Sequence, residues 1–286
     1  MDRSACIIIV LVVLALLVTC CVVGAAVALF AYGAAGADGW VEKQETIVSE
    51  VSVEAPASLQ VRNPVGDVTI RTGPEPDRVV VQATKQGSSL RRRWAENVVE
   101  EIEVRVVPEG SEVRVHVVLP ESSGLRTARV DLLITVPEVT DLDVVNDAGH
   151  VSITGVEGSV RVRSATGVLR MVDVTLVGDC DVMNVTGDIT FEGRLPQPGS
   201  GEPWRALLRT ETGDIQFLVP PDSRFTLDAE SETGTVGSKF ELQGAQSGRG
   251  QGDVGRWLKG GVNMEPGARE VVLRTETGNV VVAPLE

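Results

Sequence analysis

Asn184-Val185-Thr186-Gly187-Asp188-Ile189-Thr190-Phe191 decides how the chain reads, because its pattern recurs six more times, around Gly66, Gly149, Gly167, Gly213, Gly234 and Gly278. Seven residues before each glycine, in chain order, stand Leu59, Leu142, Val160, Cys180, Ala206, Leu227 and Val271. Five before stand Val61, Val144, Val162, Val182, Leu208, Ala229 and Leu273. Two and four after come Val68/Ile70, Val151/Ile153, Leu169/Met171, Ile189/Phe191, Ile215/Phe217, Val236/Ser238 and Val280/Val282, with Ser238 the one polar exception. Three before the glycine the column is Asn63, Asn146, Ser164, Asn184, Thr210, Ser231 and Thr275.

Two alternating apolar residues make a short strand with one buried face. The Asn/Ser/Thr column favours turns, and glycine supplies a backbone angle closed to other residues. Apolar parity switches across each turn, so the chain bends there and a second strand begins. Gly149, Gly167, Gly187, Gly213 and Gly234 lie 18, 20, 26 and 21 residues apart, the longest step holding the Pro/Gly-rich stretch Pro196–Pro203. A step near 20 residues suits coils stacked about 4.8 Å apart around a shared core. The expected fold is mainly β: a β-solenoid or β-helix-like stack of short strands with one short helix, behind a single transmembrane helix. A β-sandwich of hairpins is the alternative.

Between the first two repeats the pattern changes. Leu90, Trp94 and Val98 recur every four residues behind Ser88 and Ser89, predicting an amphipathic helix with serine at its start and Trp94 in the core. Ile102/Val104/Val106, a turn at Pro108-Glu109-Gly110 and Val113/Val115/Val117 predict a hairpin, and Val130/Leu132/Ile134/Val136 a further strand. Gly244–Gly267 is glycine-rich and predicts a loop or a distorted coil.

No charged residue lies between Ala5 and Ala37, and Cys6–Phe30 is densely apolar. As a helix, that part is about 37 Å long, enough for a hydrocarbon core of about 30 Å. It reads as a retained anchor. A cleaved signal peptide is the rival, because Ala35-Gly36-Ala37 has the small-x-small form, although the apolar run exceeds the usual signal length. Leu17-Val18-Thr19-Cys20 gives a lipoprotein signal little support. The expected organisation is a cytoplasmic tail at 1–4, a transmembrane helix at 5–37, a linker and lead-in strand at 38–57, and the repeat domain at 58–286 with an insertion at about 86–137. Arg3 against Lys43 places the plasma-membrane protein's large domain outside the cytoplasm.

The 286 residues carry 26 Lys+Arg against 40 Asp+Glu, a formal charge of −14, and 43% are apolar. The apolar content excludes a disordered chain, and the acidity argues against nucleic acid as a partner. Beyond the apolar segment Cys180 is the sole cysteine, so no disulfide can form within the outer domain.

Candidate chemistry is sparse. Gly250-Gln251-Gly252-Asp253-Val254-Gly255 matches GxGxxG by letter but lacks the preceding strand and following helix that nucleotide binding requires. Asp67, Asp188 and Asp214 follow repeat glycines, where turn chemistry is preferred over calcium because the same column also holds His150, Val168, Thr235 and Asn279. Glu211, Glu232 and Glu276 form a second acidic column, with Arg209 and Arg274 near enough to neutralise it. His116 should face solvent, His150 falls in a turn, and Cys180 falls in an inward column. No catalytic set, metal site or cofactor follows from these residues. Arg91-Arg92-Arg93 is the one basic cluster, a candidate contact for lipid headgroups or wall polymers beside the simpler reading of a solvated helix face.

Asn63-Pro64-Val65-Gly66-Asp67-Val68-Thr69-Ile70, the opening stretch 184–191 and Arg274-Thr275-Glu276-Thr277-Gly278-Asn279-Val280, repeated in this order behind a lone apolar segment, resemble the bacterial "putative adhesin" β-strand-repeat family, a domain of unknown function. The resemblance spans about residues 45–286. It implies a membrane-tethered repetitive β domain and supplies no catalytic residues. The expected function is a non-enzymatic adhesion or interaction surface, with a cell-wall polymer, a glycan or another membrane protein as partner. The alternatives are an accessory or sensor of an envelope-stress or signalling system and, further off, a carbohydrate-processing enzyme.

Overall fold

The computed structural model describes residues 41–121, 126–196, 203–249, 255–264 and 269–285. The apolar segment at 5–37 lies outside them. Among the described residues no helix is long and apolar enough to cross a membrane.

The chain opens with β1 (Val41–Ser52), β2 (Ala57–Val65), β3 (Val68–Thr72) and β4 (Arg78–Ser89), followed by helix α1 (Arg92–Glu101). Next come β5 (Glu103–Glu109), β6 (Glu112–Val118), β7 (Arg126–Val136), β8 (Thr140–Ala148), β9 (Val151–Thr154) and β10 (Glu157–Thr166). The middle holds β11 (Leu169–Thr186), β12 (Ile189–Arg194), β13 (Trp204–Thr212) and β14 (Ile215–Val219). The last part holds β15 (Phe225–Thr233), β16 (Val236–Ser238), β17 (Leu242–Arg249), β18 (Arg256–Val262), β19 (Arg269–Thr277) and β20 (Val280–Pro284).

Each repeat turn joins a strand of one ladder to a strand of another. The first ladder runs β6–β2–β8–β10–β11–β13–β19–β15, all parallel. The second runs β7–β3–β9–β11–β12–β14–β20–β16, also parallel. β11 passes from the second ladder into the first and ties both into one 20-stranded sheet. Antiparallel pairing, the hallmark of the hairpin alternative, is confined to the two ends: β1–β4–β7 and β5–β6 at one, β15–β18–β17 at the other. The glycine-rich stretch expected as a loop or a distorted coil contributes β17 and β18 to that second end.

In-register stacking puts like side chains on like. Leu59, Leu142, Val160, Cys180, Ala206, Val271 and Leu227 form one buried column between the ladders. Phe191 stacks on Phe217 with ring centroids 4.9 Å apart, and Phe225 meets Phe217 edge-on at 6.0 Å. Where Ser238 breaks the apolar column in the last coil, Phe240 packs edge-on against Phe225 and covers that end of the core.

Spatial order departs from chain order. The coil of Gly278 is inserted between those of Gly213 and Gly234, and the first coil is flanked outside by β6 and β7. β18 occupies the outer edge of β15, leaving the inner edge for β19.

The helix differs from its expectation in start and face. Ser88 and Ser89 belong to β4, and Arg91 is the N-cap, without a side-chain cap. Ala95, Val98, Val99 and Ile102 are buried, while Leu90 and Trp94 are 40% and 37% exposed. Gly87 explains the rotation. A Cβ there would lie 2.8 Å from the Ala95 carbonyl and 2.9 Å from Val99, so the helix approaches closely through its small side chains, and tryptophan is excluded.

Candidate functional site

Most polar side chains of the turn columns close their own turn or hold one coil to the next. Asn146 Nδ2 donates to its own Gly149 carbonyl at 3.0 Å, and Asn184 Nδ2 donates to Gly187 O at 3.0 Å and to Gly167 O at 2.8 Å. Thr210, Thr275 and Ser231 hydroxyls donate to the carbonyls of Gly187, Gly213 and Gly278, each in a neighbouring coil. The column is buried throughout. It is therefore an internal polar spine, since buried backbone carbonyls need donors.

After five of the seven glycines, Val168 and Thr235 being the exceptions, the next residue supplies the complementary bond. Asp67 Oδ1 accepts the His150 N–H at 2.9 Å, Asp188 Oδ1 that of Asp214 at 2.8 Å, and Asp214 Oδ1 that of Asn279 at 2.7 Å. His150 Nδ1 accepts from Val168 N–H at 3.0 Å, and Asn279 Oδ1 from Thr235 N–H at 3.1 Å. These aspartates thus use one oxygen on the next coil's backbone rather than converging on an ion. Among the described residues no three His, Cys, Asp or Glu side chains form a metal-binding group. The sequence placed this column at a turn but did not reveal that its acceptors reach across coils.

Arg209 pairs with Glu276 at 3.3 Å, whereas Arg274 turns to Asp228 at 2.8 Å and Glu230 at 3.4 Å. The acidic column is thus neutralised in part by Arg209, and Arg274 serves other carboxylates. Residues 250–254 of the GxGxxG match lie outside the described residues, and the flanking elements are the antiparallel strands β17 and β18. His116 is exposed on β6.

Cys180 is buried, and burial, reinforced by Asp181 and Asp179, pushes its thiol up to about 12. Thiolate is the reactive form, so the group is inert at neutral pH. In the native full chain, a water-soluble maleimide at pH 7 should leave Cys180 unmodified for hours and modify it once guanidinium unfolds the domain. Peptide mapping by mass spectrometry reads both states.

The outer face of the first ladder carries two polar hollows. A shallow hollow of about 360 Å³ is lined by Asp141, Asp143, Arg161, Asp179 and Asp181, with Ser58 and Ser159. Here Asp141 and Asp179 accept the Ser159 and Arg205 backbone N–H groups at 2.7 and 2.9 Å. Arg62 pairs with Asp143 at 3.0 Å and Arg161 with Asp181 at 4.0 Å. Desolvation would raise the Asp143 carboxyl, but the Arg62 hydrogen bond and charge, with Gln60 and Arg161, outweigh it and hold it below the usual carboxylate range. Further along, a hollow of about 340 Å³ is lined by Arg163, Met183, Val185, Arg209 and Glu211, and Met183 and Val185 are exposed. The face presents rows of charge from coil to coil, with Met183 and Val185 exposed among them.

Arg91, Arg92 and Arg93 lie at the other candidate position, the start of α1, all exposed. The Arg91 guanidinium sits 4.8 Å over the Trp94 ring, and Arg92 pairs with Glu96 at 3.1 Å. They are adjacent in space to β1.

No family model matches the sequence, and no curated protein does. Among solved structures the chain is similar to a "putative cell adhesion protein" from Clostridium sporogenes, at 13% identity and a TM-score of 0.42 over 85% of this chain and 100% of that one. It is also similar to a "putative adhesin" from Bacteroides fragilis, at 14% identity and 0.41, over 84% and 97% of the two chains. A "putative lipid binding protein" from Parabacteroides distasonis matches at 8% identity and 0.24, over 85% and 97%.

Proposed function

We propose that the chain is a single-pass plasma-membrane protein whose repeat domain, a β-solenoid, stands outside the cytoplasm as a non-enzymatic adhesion or interaction surface. One observation carries this reading. Most side chains of the recurring polar columns bond coil to coil, while the outer face of the first ladder repeats charged side chains from coil to coil and exposes Met183 and Val185 among them. Such a face fits an extended, repetitive ligand better than a small molecule, since its hollows are shallow and strung along the stack. A cell-wall polymer or glycan has that form.

The test uses the full chain in proteoliposomes passed over immobilised wall polymer or glycan. Retention is expected, and Arg163→Glu combined with Met183→Asp should reduce it at least about fivefold, the effect of about 1 kcal/mol. Absence of retention, with crosslinking in native membranes recovering one dominant membrane protein, would replace adhesion by the accessory role. Polysaccharide turnover abolished by acid-to-amide substitution would replace it by an enzyme.

A further inference from the structure

We propose that Leu90–Trp94, the exposed start of α1, contacts anionic phospholipid headgroups of the bilayer that holds the chain's own apolar segment. The inference rests on the anchor reading above. Its geometric basis is the β1–β4 register, in which Val41 is paired with Ser89. Paired residues on antiparallel strands lie about 5 Å apart. Only residues 38–40 separate the end of the apolar segment from Val41, and four extended steps reach at most about 14 Å. The residue immediately beyond Ser89 is Leu90. Leu90 is therefore held within roughly 23 Å of Ala37, where the apolar segment ends.

Its chemistry suits that position. Leu90 and Trp94 are large apolar side chains left exposed, Arg91 lies over the Trp94 ring, and Arg92 and Arg93 are exposed beside them. Tryptophan and arginine together favour the headgroup region, where an amphipathic ring meets phosphate charge. Helix stability does not account for the arrangement. Arginines occupy the first turn and Glu100 and Glu101 the last, the reverse of what the helix dipole favours, and the N-cap has no side-chain bond. Charge complementarity also orients the molecule. The chain carries −14 overall, so an anionic surface repels the body of the domain while attracting the Arg91–Arg93 cluster.

The test places an environment-sensitive dye at exposed Asn97, as Asn97→Cys, in the full chain reconstituted into vesicles. Quenching by headgroup-attached nitroxide is compared between pure phosphatidylcholine and vesicles containing phosphatidylserine. Quenching should be at least about twofold stronger with phosphatidylserine, should fall with added salt, and should return to the phosphatidylcholine level in Arg91→Gln/Arg92→Gln/Arg93→Gln. Trp94→Ala should weaken it with the charges intact. The three arginines are exposed, so thermal unfolding of the triple variant should be unchanged, which separates lost contact from lost fold. Equal quenching in both vesicle types, or indifference to the triple substitution, overturns the proposal. So does a dye response to soluble anionic wall polymer with none to phosphatidylserine. Flotation of the chain with the vesicles, scored separately, tests the anchor, so failure of that reading is distinguishable from failure of this one.

Discussion

Gly187→Ala in the full chain should abolish cooperative unfolding or lower Tm by at least roughly 10 °C, a loss above about 4 kcal/mol at about 2–4 °C per kcal/mol. Gly187 has φ +132°, and a Cβ on it would lie closer than 3 Å to the Gly167 carbonyl. The obstruction is backbone, so no side chain can move aside. Gly213, Gly278 and Gly234 each face the preceding coil's glycine carbonyl in the same way, and the column is continuous through the stack. Relief requires parting two coils, which breaks ladder bonds on both sides of the turn and the Asn184 bonds to Gly167 and Gly187. Gly237→Ala is the matched control. Nothing lies within 4 Å of its added Cβ, and its stability should be unchanged or slightly higher. Thermal unfolding by circular dichroism in detergent micelles compares the two, and equal behaviour would remove the glycine column from the account.

Phe217→Ala should cost about 3–5 kcal/mol, the range for deleting a fully buried aromatic ring. Phe217 is 0% exposed, stacked on Phe191 and touched edge-on by Phe225. It belongs to a ladder bonded on both sides, to β12 and β20, so collapse around the cavity is resisted by strands in fixed register. A double-mutant cycle with Phe191→Ala should return a coupling of about 0.5–1.5 kcal/mol from the ring pair. Denaturant midpoints measure both terms. A single-mutant loss below about 1 kcal/mol would mean that the centre of the stack is not packed as described.

The columns themselves were legible because strand alternation has period two and each coil repeats the same positions. Leu59, Val61, Val68 and Ile70 are inward for the reason that made them recognisable. Coil order was not legible. Every coil presents equivalent columns to its neighbours, so the Gly278 coil fits beside Gly213 as well as the Gly234 coil does, and the β17–β18 hairpin takes the other edge of β15. Helix burial departs from the apolar pattern at Trp94, because the pattern carries no measure of side-chain size, whereas Gly87 selects the small face of α1. The polar spine was half visible. Asn, Ser and Thr announced turns, but a bond from Asn184 to Gly167 crosses between coils and leaves no mark in local sequence.

The central claim, that a membrane anchor at the β1–α1 end holds a stack of coils rising from the bilayer, is tested most directly by distance to lipid. Energy transfer would be measured from a single dye to headgroup-attached acceptors in vesicles bearing the full chain, with the dye at Glu45→Cys on β1 or at Gln246→Cys on β17. Successive strands step about 4.8 Å, so the two sites lie roughly 50 Å apart along the stack. The account predicts strong transfer from the β1 site and weak transfer from the β17 site. Equal transfer from both, as for a domain lying along the surface, or stronger transfer from β17, would contradict it.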